Sequence, residues 1–220
     1  MAQVFKDRAH AGKELALLLE KYHDDKNTII IGLPRGGVVT GYAVAKALHL
    51  PLDIVCPRKV GAPGNPEYAI GAVTETGEAI LNEPVIADIG IPEQYLKETL
   101  ESEKQQALMR LHLYRKGLPP RNFHGKNIII VDDGMATGHT MKAAIKSVKA
   151  EGAKAIIVAV PVTPPDTVEE IRETVDEVVY LEAPPFFAAV GQFYQNFAAT
   201  TDEEVIALLQ GNDTAETTHL

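Results

Sequence analysis

Residues 128–140, "IIIVDDGMATGHT", place four β-type apolar residues directly before two adjacent aspartates and a loop of small residues. An apolar run with no polar alternation fits a strand covered on both faces, the usual state of a strand in a parallel sheet. "NTIIIGL", "PLDIVC", "KAIIVAVPV" and "EVVYLEA" share that character. Helical patterns alternate with them, as the parallel arrangement requires. An opening helix is expected from about Asp7 to Tyr22, with Leu15, Leu18 and Leu19 buried. Further helices are expected over "GGVVTGYAVAKALHL", from about Pro92 to Lys116, and over about 139–151 and 165–174. A last helix opens at Thr201, with Glu204 at the capping-box spacing and Gly211 placed to end it. The fold class that follows is α/β: an open, mostly parallel sheet flanked by helices.

The pattern breaks after Cys56. Residues 60–91 are rich in Pro and Gly and carry a hairpin signal around "YAIGAVTETGEAIL". One domain over residues 1–210 is expected, followed by a polar tail at 211–220. At 220 residues with 45% apolar content, such a domain buries a sizeable core. The single cysteine excludes an intrachain disulfide and fits a reducing cytoplasm. No run approaches the roughly 20 apolar residues needed to span a bilayer, and the N-terminus lacks a signal-peptide core. Neither a membrane nor nucleic acid is an expected partner, because a net charge of −9 opposes broad phosphate binding.

In open α/β sheets ligands bind beyond the carboxyl ends of the strands, where the opening stretch ends. Gly134, Ala136, Gly138 and Thr140 allow a tight turn with inward N–H groups, and the following helix adds its positive end. Thr137 and Thr140 supply hydroxyl donors. The loop is not a Walker P-loop, since His139 stands where the Walker lysine would be. An ordinary strand-to-helix turn would have the same glycines. Asp132 and Asp133 separate the readings: carboxylates repel phosphate but accept well from neutral hydroxyls. A vicinal diol with a phosphate one carbon further on, as in ribose 5-phosphate, satisfies both halves. A phospho-acceptor receiver domain is excluded, because its acidic pair would follow the first strand.

The stretch closely resembles the 5-phosphoribosyl 1-pyrophosphate signature of type I phosphoribosyltransferases. "GLPRGG", "RKVGAPGNPE" and "VGQFYQNF…TDEEV" are similar to a bacterial branch of that family. The resemblance implies that Asp132 and Asp133 hold the ribose hydroxyls, while Gly134 and Ala136, Thr137, Gly138, His139 and Thr140 surround the 5-phosphate. It makes Arg35, Gly36 and Gly37 the pyrophosphate loop; Arg58 and Lys59, at the end of the second strand, are the next candidate pair for pyrophosphate contact, or else a solvated basic face. It also implies Mg²⁺ carried mainly on ligand oxygens, with no direct protein ligand, and often a homodimer. The catalytic set would be Asp132, Asp133, Arg35 and Lys59.

Residues 60–91 would form a lid, with Glu67 and Tyr68 facing the site, or else an ordinary hairpin. A hood at about 183–200 would offer Phe186, Phe187 and Tyr194 to a base, although aromatics in apolar segments commonly serve as core. Hypoxanthine- and guanine-type members carry an aspartate where this chain has Ala136, as adenine-type members do. The implied activity is Mg²⁺-dependent transfer of the phosphoribosyl group to a nucleobase-like nitrogen with release of pyrophosphate. The alternative is a non-catalytic regulatory or sensor protein that binds the same ligand or a nucleotide.

Overall fold

The computed structural model describes residues 4–213, apart from the side chains of Glu67, Asn212 and Asp213. Five parallel strands form the central sheet: β1 (Thr28–Gly32), β2 (Leu52–Ile54), β6 (Asn127–Val131), β7 (Ala155–Val162) and β8 (Glu177–Glu182). Their order is β2-β1-β6-β7-β8, so β1 and β6 lie side by side at the centre. Helix α2 (Gly36–Leu48) carries the chain from β1 outward to β2. Helix α5 (His139–Ala150) carries it from β6 the opposite way to β7. The gap between the ends of β1 and β6 is therefore the switch point, where the two following loops diverge and leave a crevice.

The "IIIV" run explains this centre. Ile129 and Val131 point into the layer with Leu15, Val44 and Leu48. Ile128 and Ile130 point the other way, toward Met141, Ile145 and Val148. With both faces buried, a polar residue at any of the four positions would enter a dry layer, so the strand tolerates no alternation. Helix α1 (Arg8–Leu18) packs closely on α2, for a Cβ at Gly12 would lie 2.5 Å from the Thr40 carbonyl oxygen.

Two expectations need correction. Leu18 is exposed, because the buried stripe of α1 runs through Ala11, Leu15 and Leu19 at i+4 spacing and turns Leu18 outward. Gly211 lies inside α7 (Asp202–Asp213), which runs on past it; it lacks the left-handed φ by which a glycine ends a helix. The capping box does form, with Glu204 N–H donating to Thr201 Oγ1 at 3.2 Å and Thr201 N–H to Glu204 Oε2 at 2.7 Å. The tail beyond Asp213 lies outside the described residues.

The insertion is a second, antiparallel sheet of β3 (Arg58–Ala62), β4 (Asn65–Val73) and β5 (Ala79–Leu81), followed by α3 (Glu83–Asp88). The hairpin signal at 68–81 falls on β4 and β5. Val60, Ile70, Val73 and Ile86 give it a small core, closed by Leu96 and Leu100 of α4 (Glu93–Tyr114). Its β4–β5 end is fastened to the main sheet. Glu75, 3% exposed, accepts from Cys56 N–H at 2.9 Å and from Arg121 Nη1 at 2.7 Å. Arg121 also donates to Glu151 at 2.6 Å. The β3–β4 turn around Gly64 is the open end, with residues 63–66 all exposed.

Removing one partner of a buried ion pair strands the other. Glu75→Ala should therefore lower stability by about 3 kcal/mol, as read by urea denaturation. Amide exchange at Thr74–Ala79 should accelerate in the same variant. Unchanged exchange there would show that the hairpin is held by apolar packing alone.

Candidate active site

Both central strands end level: Gly32 pairs with Val131, and Leu33 N–H donates to the Val131 carbonyl at 3.0 Å. The two following loops must therefore run against each other. A Cβ on Gly36 would stand 2.1 Å from Asp133 Oδ2, and one on Gly37 would stand 2.7 Å from Asp132 Oδ1. Such separations are impossible for real side chains, so glycine at both positions lets the "PRGG" backbone touch the acidic pair. The Pro34–Arg35 peptide of this loop is cis. Arg35 stands at the residue before α2 without a side-chain capping bond, and it reaches Asp202 Oδ1 at 3.6 Å, with its side chain 44% exposed. Asp202 accepts in turn from Tyr114 Oη at 2.7 Å.

Asp132 and Asp133 are held differently. Asp132 Oδ1 accepts the N–H of Asp133 at 2.8 Å. Burial, and then the neighbouring Asp133 charge, push the Asp132 carboxyl well above the usual carboxylate range. Asp132 is part-buried as a residue. Asp133 Oδ2 accepts from Arg8 Nε at 2.6 Å. Arg8 also donates to the Ala198 carbonyl at 2.7 Å and lies 3.9 Å over the Phe197 ring. The guanidinium is thus fixed on three sides, and its pair with Asp133 is largely shielded from water. Arg8 is a site residue that lies outside both glycine loops and the acidic stretch.

The second loop closes into a cup. Gly138 has φ 71°, a left-handed conformation that glycine adopts freely, and α5 starts at the next residue. The first N–H groups of α5 lack intrahelical partners and face the cup. Thr167 Oγ1 donates to the Ala136 carbonyl at 2.7 Å and ties the loop to α6 (Pro165–Arg172). Thr137 Oγ1 lies 2.9 Å from His139 Nδ1. Burial, then the Lys142 charge, lower the His139 pKa, so its ring is neutral at pH 7 and backbone dipoles supply the cup's positive field. Thr140 is part-buried at the start of the helix. A Cβ on Gly134 would stand 2.5 Å from Val190, which locks the loop against the 183–200 segment.

Cavities flank the crevice on both sides. One of about 520 Å³ runs from Ala136 and His139 to Asn82 and Pro84. Another of about 440 Å³ lies behind Arg8, with Val39, Asn196 and Thr200 among its walls.

The remaining candidates are dispersed. Arg58 is paired with Glu103 of α4. Lys59, its neighbour on β3, is exposed. Tyr68 is exposed on β4, and the Glu67 side chain lies outside the described residues. Phe186 is 87% exposed, whereas Phe187 stacks on Phe193 with centroids 5.2 Å apart. Tyr194 is buried between Phe5 and Phe197, and its hydroxyl donates to the Asp133 carbonyl. Its ring supports the acidic loop from below and presents no open face for stacking.

Fold and site together define an open α/β protein whose crevice joins two glycine loops to an acidic pair. The chain belongs to the phosphoribosyl transferase domain family, whose model matches residues 5–197. Its fold matches the crystal structure of TT1426 from Thermus thermophilus, with a TM-score of 0.79 and 42% identity over 95% of this chain and 99% of that one. Rv0571c of Mycobacterium tuberculosis, whose name assigns it provisionally to the phosphoribosyl transferases, is 40% identical over 207 residues. That match takes in 94% of this chain but 46% of the mycobacterial protein, so the chain spans about half the length of that relative. An adenine phosphoribosyltransferase of Corynebacterium kroppenstedtii is 32% identical over 147 residues, 67% of this chain and 60% of that protein. No helix among the described residues is long and apolar enough to cross a membrane.

The raised pKa of Asp132 makes the stability of the fold depend on pH. A carboxyl that binds its proton more tightly when folded favours folding most below the unfolded pKa of about 3.9, and this contribution is lost as pH rises through the folded value. Asp132→Asn should therefore raise the ligand-free stability at pH 7 by about 0.5–2 kcal/mol, with the gain vanishing toward pH 4. Thermal melts of both proteins from pH 4 to pH 8 check this. A variant less stable than wild type at pH 7 would show that the ionised Asp132 is well accommodated.

Proposed function

We propose that the chain is a phosphoribosyltransferase that takes 5-phosphoribosyl 1-pyrophosphate and transfers its phosphoribosyl group to a nucleobase-like nitrogen. The contact of Gly36 and Gly37 with Asp132 and Asp133 carries this reading, because it sets two anion loops on either side of one diol-accepting pair. The 5-phosphate suits the cup at 136–140, and the ribose hydroxyls suit the carboxylates. The pyrophosphate suits the "PRGG" amides and Arg35, where the N-terminus of α2 adds positive potential.

In this reading the acceptor nitrogen forms a bond to C1 as the C1–O bond to pyrophosphate breaks. The electron pair leaves with pyrophosphate, and the acceptor's proton passes to solvent or to a base. C1 turns cationic beside Asp132 and Asp133, while charge collects near Arg35, an arrangement that favours the transition state over the ground state. Lys59 is the remaining cation for the leaving group, since Glu103 occupies Arg58.

Mg²⁺ fits as an ion borne by the ligand. Asp132 Oδ1 and Asp133 Oδ2 are already engaged, which leaves one oxygen on each carboxylate and no six-oxygen cage. When bound, it would neutralise the pyrophosphate charge. The chain resembles adenine-type enzymes at Ala136, so no carboxylate of the loop serves as the acceptor's base. The lid assignment rests on the exposed β3–β4 turn, for the other end of the insertion is pinned by Glu75.

Two measurements test the reading. Pyrophosphate release with Mg²⁺ and a panel of purine and pyrimidine bases should be seen with wild type and fall sharply with Arg35→Ala. Binding without release under every base would establish a sensor and overturn the enzyme. In the second, 2,3-dideoxyribose 5-phosphate should bind wild type, Asp132→Asn and Asp133→Asn alike, because it lacks both hydroxyls. Ribose 5-phosphate should bind the Asn variants less tightly by about 1.5–3 kcal/mol for each charge-assisted bond lost. Gly138→Val should abolish binding of both sugars. Equal losses of the two sugars in the Asn variants would remove the diol assignment.

A further inference from the structure

At the opposite end of the sheet, three metal-ligating side chains meet. His23 and Asp24 lie in the turn before β1, and His49 follows α2 just ahead of β2. His23 Nδ1 stands 2.9 Å from Asp24 Oδ2, and His49 Nδ1 stands 3.2 Å from Asp24 Oδ1. The two rings are 4.8 Å apart. One ligand atom from each residue falls within 4.8 Å of the others, the one such group of three among the described residues.

We infer that His23, Asp24 and His49 form a surface site for a borderline divalent cation, with Zn²⁺ as the ion the donors suit. Two imidazoles and one carboxylate match the ligand preference of Zn²⁺, with water completing the tetrahedron. Ligand atoms at about 2.0–2.1 Å from an ion stand roughly 3.4 Å from one another in a tetrahedron. The two imidazoles face different oxygens of the Asp24 carboxylate, at 2.9 and 3.2 Å, so an ion would draw the rings together and take both oxygens, or one after the carboxylate turns. Each ring would bind through Nδ1 and keep its proton on Nε2.

Backbone structure holds the three in place. Asp24 N–H donates to the Leu48 carbonyl at 3.0 Å, so the two turns are joined before any ion arrives. His49 is the C-cap of α2, where the negative end of the helix dipole favours a cation. The site lies away from the crevice, since these residues precede the strands whose far ends carry the two loops. A bound ion would clip the connections that lead into β1 and β2, and it has no place in the phosphoribosyl chemistry.

The test uses the full chain stripped of metal by chelator and titrated with Zn²⁺ in a calorimeter, with Co²⁺ as a spectroscopic probe. Wild type should bind one equivalent, melt at a higher temperature with the ion, and give the visible absorption of four-coordinate Co²⁺. His23→Ala combined with His49→Asn should weaken binding at least about tenfold. Asparagine is chosen at position 49 because it tolerates the left-handed φ of 53° found there. Asp24→Asn, a milder change that keeps the size, should also weaken binding. His139→Ala should leave binding unchanged. Absence of binding by wild type, full binding by the double variant, or loss only with His139→Ala would each overturn the site.

Discussion

The backbone of Gly36 and Gly37 rests directly on the carboxylates of Asp132 and Asp133, and the arrangement of the crevice follows from that contact. Strands β1 and β6 end level, with Leu33 N–H on the Val131 carbonyl, so their loops leave the sheet side by side. Any side chain at position 36 would meet a carboxylate oxygen 2.1 Å away, so the loops approach only because both residues lack one. Once they touch, the N-termini of α2 and α5 lie on either side of the acidic pair. A negative floor between two positive walls is the outcome, and it comes from strand register and glycine placement rather than from net charge, which is −9.

That floor costs stability, and the surrounding residues offset part of the cost. One oxygen of Asp132 is satisfied by the N–H of Asp133, and one of Asp133 by Arg8. Arg8 is in turn held by Phe197 and the Ala198 carbonyl, so the N-terminal segment and the 183–200 segment meet at the acidic pair. Phe5 reinforces this junction: its N–H donates to the Phe193 carbonyl, and its carbonyl accepts from Gln195 N–H, each at 2.8 Å. Folding of the C-terminal segment and charge balance in the crevice are therefore coupled through one arginine.

The sheet was legible because its strands are buried on both faces, which writes an uninterrupted apolar run into the sequence. The two loops were legible because glycine and the acidic pair occur at fixed offsets from those runs. Strand β3 was not, since "RKVGA" is short, begins with two basic residues and carries register shifts at Val60–Gly61 and Gly61–Ala62. Arg121 gave no sign of its role, because its partner Glu75 lies 46 residues away in sequence. Arg8 did leave a trace. A cation in the first turn of a helix opposes the dipole, so an arginine directly after the N-cap Asp7 implies a partner elsewhere in the fold.

Aromatic side chains misled for a related reason. Composition marks Phe186, Phe187 and Tyr194 alike as candidates for stacking, yet only the fold separates an open ring from a supporting one. Tyr194 fills the space beneath Asp133, and its hydroxyl is engaged by that residue's carbonyl. Burial, and then the Asp133 charge, raise its pKa, so it remains a neutral donor throughout the physiological range. A neutral donor satisfies the carbonyl without adding charge beneath the floor, whereas a cation there would compete with Arg8 for the same carboxylates. The 183–200 segment therefore supports the acidic pair with uncharged groups and leaves Arg8 as its fixed positive partner.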